Sequence, residues 1–325
     1  MRFAPDRELI LKQIAGAIMP LAVTMMLLYG ASFFSRWHWF ADLLAQFTYQ
    51  YLTSAIILMI AFAVLRQTRM ALLMAVIAAL NLTHTQPRLT WSSDTPSGPI
   101  LTLLEYNRYH RQITDHSDLK SFMIAHKPDA VVLLEATQAL RDMTGTMKDL
   151  YPYQVRNDRV GAYGMIVLSR YPIIDHQLIP IHGHSDNDAL KVIIKNPGLA
   201  NPVALYALHT FTPMNDISWQ QRNFELDQVA KAISEDRHKN IILTGDLNIT
   251  PFSPFFEDLV RQSGLNNNYK TLPPVTWPNG TLLPFFQIPI DHILTSKTIS
   301  LVSRKTYAAM GSDHYPTIAK LEITN

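Results

Sequence analysis

Six apolar runs in this chain end on side chains that can hold a cation or move a proton. Leu103-Leu104-Glu105-Tyr106-Asn107 ends on an amide, Val131–Leu134 runs into Glu135, and Tyr206-Ala207-Leu208 runs into His209. Ile241–Thr244 is followed by Gly245, Asp246, Leu247 and Asn248. Ile290 precedes Asp291 and His292, and Gly311 precedes Ser312, Asp313 and His314. Taken singly, an Asp or Asn after a strand is a turn former or a helix cap, and a lone His on a strand is a hydrogen-bonded structural residue. Together the six endings combine hard oxygen donors with imidazoles, a set suited to Mg²⁺ or Mn²⁺ chemistry on a phosphate.

The elements that must carry these residues alternate along the chain. Strands are expected at Leu101–Tyr106, Ala130–Leu134, Gly164–Ser169, Leu190–Ile194, Val203–His209, Asn240–Thr244, Ile290–Thr295 and Thr317–Ile323. The Ala130–Leu134 run is continuously apolar, as for a strand covered on both faces. Leu119–Ala125 suits a helix. Trp219–Ile233 has helical spacing through Phe224, Leu226, Val229 and Ile233, and Phe255–Arg261 makes a short helix after Pro251 and Pro254. The segment 100–325 is therefore an α/β domain with helices interspersed among strands. Residues 86–99, rich in Pro, Ser and Thr, read as a linker in front of it.

Composition separates this domain from what precedes it. The 325 residues are 17% charged, below the usual quarter, and contain no cysteine, which excludes disulfides, thiolate nucleophiles and Cys-ligated metals. Residues 86–325 carry 22 basic and 23 acidic side chains, so this part has no strong basic field to recruit nucleic acid.

Residues 1–85 read as a membrane anchor. Uncharged apolar stretches at about 14–34, 43–65 and 70–83 give three predicted transmembrane helices, the third short against the ~20 residues a span needs. Arg2, Arg7 and Lys12 precede the first, and Arg66 and Arg69 lie between the second and third. The positive-inside rule then places the N-terminus in the cytoplasm; three spans put the domain on the outer side and two would put it in the cytoplasm, so the short third segment decides the compartment.

The order of motifs resembles the endonuclease/exonuclease/phosphatase superfamily over roughly residues 100–323: an Asn after the first strand, LLE, a strand-ending His, GDLN, a D-H pair and a terminal SDH. GDLNITPFSPFF, the TWP at Thr276–Pro278, IPIDHIL and GSDHYP are similar to bacterial membrane-anchored members. The resemblance implies a deoxyribonuclease-like α+β four-layer sandwich, two packed β-sheets flanked by helices, preceded here by the transmembrane region. It implies a metal-dependent phosphoric ester hydrolase using Mg²⁺ or Mn²⁺, held by Glu135 and Asn107 with Asp313 as a further ligand. His314 resembles the catalytic imidazole and Asp291 the carboxylate that orients it. Asp246 resembles the residue that orients or deprotonates the attacking water, Asn248 one that holds a phosphate oxygen, and His209 one that assists the leaving group. Tyr163 is a candidate for the pocket wall, Glu105 for a place behind the site, and Arg108, Arg111, Arg156 and Arg159 for the phosphate approach.

The resemblance implies the reaction class far better than the substrate. A lipid head group, a small phosphoester and a nucleic acid all stand as phosphoester partners, alongside the bilayer itself, and no protein partner is predictable. The implied location is the bacterial inner or plasma membrane. The alternatives are a nuclease of the same fold and, less favoured, a catalytically silent binding module, against which the intact Glu135, Asp246, Asn248, Asp313 and His314 speak.

Overall fold

In the computed structural model, residues 7–85, 98–111, 113–183, 187–267, 273–280 and 284–324 are described. Most of the expected linker, 86–97, lies outside them. The chain falls into two compact units: Met1–Pro87 with Phe252–Pro254, and Arg88–Pro251 with Phe255–Asn325.

The first unit is helical: α1 (Arg7–Ser32), α2 (Trp39–Ala45), α3 (Thr48–Val64) and α4 (Thr68–Thr85). Ala22, Tyr29, Ala55, Phe62 and Met74 are buried among these helices, while Leu21, Leu27, Ile57, Val64, Leu72 and Val76 point outward. Helices apolar all round suit a non-aqueous surrounding. By length and composition, α1 can cross a membrane, and α2 with α3 make a second candidate bent by 60° at its break. The expected span 43–65 thus begins inside a short helix that carries the buried Asp42 and ends before Gln46, whose amide caps back on Asp42 O at 2.9 Å. The third segment does form a helix, but its apolar part, Thr68–Thr83, is shorter than a span.

The second unit packs two sheets face to face. Strands β1 (Ile100–Asn107), β2 (Ala130–Leu134), β3 (Tyr153–Arg156), β4 (Met165–Ser169), β10 (Ile299–Thr306) and β11 (Thr317–Ile323) form one, in the order β10-β11-β1-β2-β4-β3. Strands β5 (Ile173–Pro180), β6 (Asp188–Ile194), β7 (Val203–His209), β8 (Asn240–Asp246) and β9 (Asp291–Thr295) form the other, in chain order. Between the sheets lie Leu103, Val132, Leu134, Val167, Val192, Leu205, Ile242 and Leu321, all nearly inaccessible. The alternate residues of the same strands face outward onto helices. Leu104, Val131 and Leu133 meet Leu119, Met123 and Leu140 from α5 (Ser117–His126) and α6 (Gln138–Gly145). Ala204, Tyr206 and Leu243 meet Leu226, Val229, Phe256 and Leu259 from α7 (Asp216–Ser234) and α8 (Pro254–Ser263). Apolar side chains on both faces explain why the central strands read as continuous hydrophobic runs. This is the expected four-layer sandwich.

Each sheet contains one parallel pair, β1 with β2 and β7 with β8, joined through a helix. Parallel strands end on the same side, so the residues at their C-terminal ends gather along one edge.

Candidate active site

Register brings the strand-ending residues together. Asn107 lies opposite Leu134, immediately before Glu135. His209 lies opposite Asp246, and Asp246 opposite Asp291. Gly245 makes this closeness possible: its φ is +142°, and a Cβ there would stand 1.9 Å from the Leu208 carbonyl oxygen. Glu135 and Asn248, neither a glycine, sit at φ +54° and +48°. Such left-handed backbone is costly and clusters where a side chain has to be aimed.

Asp246 is the centre of the array. Its Oδ1 accepts the Asn248 backbone N–H at 3.0 Å. Its Oδ2 accepts the Asn107 amide at 3.0 Å and stands 3.5 Å from Nε2 of both His209 and His314. Each imidazole is pinned at its other nitrogen. His314 Nδ1 contacts Asp291 Oδ2 and Oδ1 at 2.9 and 3.1 Å. His209 Nδ1 faces the Ala162 carbonyl at 2.7 Å, and since that oxygen can only accept, Nδ1 carries the hydrogen. Asp291 is fixed in turn: Thr276 Oγ1 accepts its backbone N–H, and Arg304 donates to its carbonyl at 2.7 Å.

Electrostatics follows from this geometry. Burial alone would favour neutral His314, but the Asp291 and Asp246 carboxylates outweigh it and raise its pKa to about 10. Burial pushes Asp246 up to about 6 against the pull of His314. Asp291, beside the same imidazole, is held below the usual carboxylate range despite its burial. Near neutral pH the edge therefore presents a cationic imidazole next to a carboxylate basic enough to take a proton.

The remaining acids are also held. Glu135 Oε1 accepts from Asn107 Nδ2 at 3.1 Å, and Oε2 takes the backbone N–H of His110 at 2.9 Å and contacts the His110 ring. These contacts, with His209, hold its pKa down against burial. Asn107 thus turns its amide nitrogen to both Glu135 and Asp246, while its oxygen accepts from Tyr109 N. Asp313 Oδ2 accepts the Trp277 indole N–H at 3.1 Å, and its buried Oδ1 has no hydrogen-bond partner among the described residues. Asp246, Asp291 and His314 offer three ligand atoms within 4.8 Å of one another. With its imidazole cationic that trio is engaged in holding a proton, and it is the orphaned Asp313 oxygen together with the Glu135 carboxylate that offers hard oxygen donors fitting a divalent cation.

His110, Trp277, Thr276, Ser312 and Arg304 are the residues that sequence reasoning passed over. Ser312 Oγ donates to Asn107 O at 2.8 Å and accepts the His314 N–H at 3.0 Å, tying two ends of the edge together. Ser312, Thr276 and Trp277 stand inside motifs already noticed, and His110 is three residues from Asn107; Arg304, on an edge strand, leaves no signal. Asn248 donates its amide to Thr210 O at 2.9 Å. The Tyr163 ring lies 6.0 Å from that of His209, centroid to centroid. Arg108 does not line the phosphate approach: it is 1% exposed and spends its donors on Tyr106, His116, Met310 O, Asp115 O and Asp118. Arg111 and Arg156 are exposed and Arg159 is partly so.

Glu105 lies behind the edge, fully buried, with neither carboxylate oxygen hydrogen-bonded among the described residues. Burial first, and the Asp291 charge second, raise its pKa well above the usual value. The unfolded chain releases this proton near pH 4.5 while the folded chain keeps it, so stability falls as pH rises, at about 1.4 kcal/mol per unit until the folded group titrates. Glu105→Gln abolishes that component. Thermal melts of the two proteins from pH 5 to 9 show the variant gaining on the parent as pH rises; parallel curves overturn the reading.

The sequence profile of the endonuclease/exonuclease/phosphatase family matches residues 106–314. The chain belongs to that family. As a member, it is a metal-dependent phosphoric ester hydrolase. No curated protein matches the sequence. Among solved structures, TDP2 from D. rerio, in complex with single-strand DNA product, is similar with a TM-score of 0.58 and 16% identity, covering 69% of this chain and 99% of that one. Sphingomyelinase C from Streptomyces griseocarneus gives 0.53 and 18%, covering 70% and 100%. An endonuclease/exonuclease/phosphatase from Beutenbergia cavernae gives 0.55 and 18%, covering 70% and 72%. At these identities the likeness is one of fold.

Proposed function

We propose that the chain is a membrane-anchored phosphoesterase that cleaves a phosphodiester or phosphomonoester by water attack along the edge built from Asn107, Glu135, His209, Asp246, Asn248, Asp291 and His314. The observation that carries this reading is the convergence of two imidazoles, each locked at Nδ1, on the single oxygen Asp246 Oδ2. His314, charged and oriented by Asp291, holds an anionic phosphate oxygen and steadies the negative charge that grows on it. Asp246 takes the proton of the attacking water. His209 Nε2, at the same carboxylate oxygen, serves the leaving oxygen, to which it gives a proton as the imidazolium because Nδ1–H is spent on the Ala162 carbonyl, and the Asn248 amide adds a neutral donor. Glu135, Asn107 and Asp313 would hold a Mg²⁺ or Mn²⁺ ion, which when bound screens phosphate charge.

The nuclease alternative has one observation in its favour, the Tyr163–Phe211 ring pair at 5.5 Å, a surface on which a base could stack. Against it stands the balance of 22 basic and 23 acidic residues in the domain. The apolar N-terminal helices support an anchor with the N-terminus cytoplasmic; placing the catalytic domain on the outer side of a bacterial inner membrane requires the short third helix, Thr68–Thr83, to complete a span, because two spans would return the domain to the cytoplasm.

The test is turnover by the full chain in amphipol, with and without Mg²⁺ or Mn²⁺, on bis-p-nitrophenyl phosphate, DNA and phospholipid micelles. Metal-dependent hydrolysis lost by a factor of about 10³ or more in Asp246→Ala and His314→Ala is expected; full activity in either variant removes it from the mechanism. On DNA, activity falling steeply with salt marks a nuclease. For topology, a C-terminal reporter active only outside the cytoplasm is expected, and activity only inside sinks the outer placement.

A further inference from the structure

Two residues beyond His209 the chain leaves the site edge and forms one wall of a groove. Phe211, Asn215, Ile217, Ser218 and Gln221 line it, enclosing about 230 Å³. It adjoins the catalytic edge: the Phe211 ring lies 5.5 Å from that of Tyr163, and Tyr163 lies 6.0 Å from His209. The connection is braced from below by the fully buried Glu225. That carboxylate accepts from Phe211 N at 2.8 Å, from Gln221 Nε2 at 3.0 Å, and from Asn187, whose amide also donates to His209 O.

The polar groups of the lining are turned toward each other. Asn215 Oδ1 accepts the Ser218 N–H, and Ser218 Oγ accepts the Asn215 N–H, closing a capping box at the start of α7. Phe211 and Ile217 form the apolar part of the lining, and the exposed Ile217 (69%) and Met214 (67%) extend it between the exposed polar Thr212, Asp216 and Gln220. No lysine or arginine occurs from Thr210 to Gln221, and Asp216 adds a negative charge. A nucleic-acid backbone requires cations along its path, and a groove of this size is below the usual range for a bulky drug-sized ligand. A hydrocarbon chain needs neither cations nor polar partners, only apolar walls.

We infer that this groove is a substrate subsite, and that the phosphoester cleaved at the adjoining edge carries an alkyl or acyl chain seated between Phe211 and Ile217. The inference rests on the hydrolase reading and deepens it to a substrate class. A chain-length series tests it: ethyl, butyl, hexyl and octyl esters of p-nitrophenyl phosphate, below their aggregation limits, given to the full chain in amphipol. With buried CH₂ groups contributing as they do in transfer from water, kcat/KM rises roughly two- to fourfold per added CH₂ until the groove is filled. Ile217→Asp flattens this slope, whereas Ile174→Asp, on the edge strand β5 and 56% exposed, keeps it. A flat slope in the parent, with bis-p-nitrophenyl phosphate still hydrolysed, overturns the subsite and leaves the hydrolase reading intact. An unchanged slope in Ile217→Asp does the same, as does a single-stranded oligonucleotide that is preferred to every ester and loses that preference in Ile217→Asp. No turnover of any substrate overturns the hydrolase reading, and the subsite falls with it.

Discussion

Asp291→Asn lowers kcat by roughly 10³–10⁴, the size seen when an orienting carboxylate loses its charge but keeps its shape. The carboxylate now contacts His314 Nδ1 through both oxygens, at 2.9 and 3.1 Å. An amide in its place can offer N–H to Nδ1, which sets the wrong tautomer, and it removes the charge that keeps the imidazole cationic. The backbone around position 291 stays anchored through Thr276 and Arg304, so the effect falls on the side chain rather than on β9. Two measurements check this. Combining Asp291→Asn with His314→Ala costs little more than His314→Ala alone, because residues acting as a unit are strongly non-additive. Activity within tenfold of the parent in the single variant would show that His314 needs no orienting partner.

The second large effect is on folding. Gly245→Ala places a Cβ 1.9 Å from the Leu208 carbonyl oxygen at a φ of +142°, and backbone on both sides has to give way. Leu208 and Gly245 face each other in the parallel β7–β8 pair, one step before His209 and Asp246. Relief of the clash therefore separates the two strands where the site requires them closest. A loss of roughly 4 kcal/mol or more is expected, lowering the melting temperature of the domain by about 10 °C. Gly264→Ala is the comparison: its φ is +70° but nothing lies within 4 Å of a Cβ there, so it loses only the backbone preference, about 1 kcal/mol. Equal losses at the two positions would mean that the close approach at Gly245 carries no special cost.

The fold was legible where burial is complete and illegible where it is not. The central strands β1, β2, β4, β7 and β8 are buried over most or all of their length, and each reads as an apolar run. Strands β3, β5 and β10 escaped notice, and all three are sheet edges. Five consecutive residues of β5, Ile174–Leu178, are exposed, and β10 alternates weakly, so neither leaves a period in the sequence. Among the candidate catalytic residues, those at the ends of buried strands announced themselves as polar punctuation after apolar runs. His110, Trp277 and Arg304 did not, because their roles arise from contacts with residues 25, 36 and 13 positions away. Arg108 misled for a related reason. Charge predicts exposure only until a folded structure supplies a partner for each donor, and here five partners do. The break between α2 and α3 follows the same logic: Asp42, just ahead of the apolar stretch, is buried in α2 and partnered by Gln46 where the sequence predicts a straight span from residue 43.

The polypeptide enters and leaves the catalytic domain at one corner. Ile323 N donates to Pro99 O at 3.0 Å, and Gly98 N to Glu322 Oε1 at 2.6 Å, at the start of β1. Asn107 stands at the other end of that eight-residue strand, about 23 Å away at the usual rise. Joining these neighbouring ends with a short linker and opening the chain elsewhere, for instance in the turn between β4 and β5, would produce a circular permutant with its catalytic edge undisturbed. The same corner makes the domain a cassette: it could be spliced into a surface loop of an unrelated host through a single point of attachment, with the proposed catalytic edge at the far end of β1.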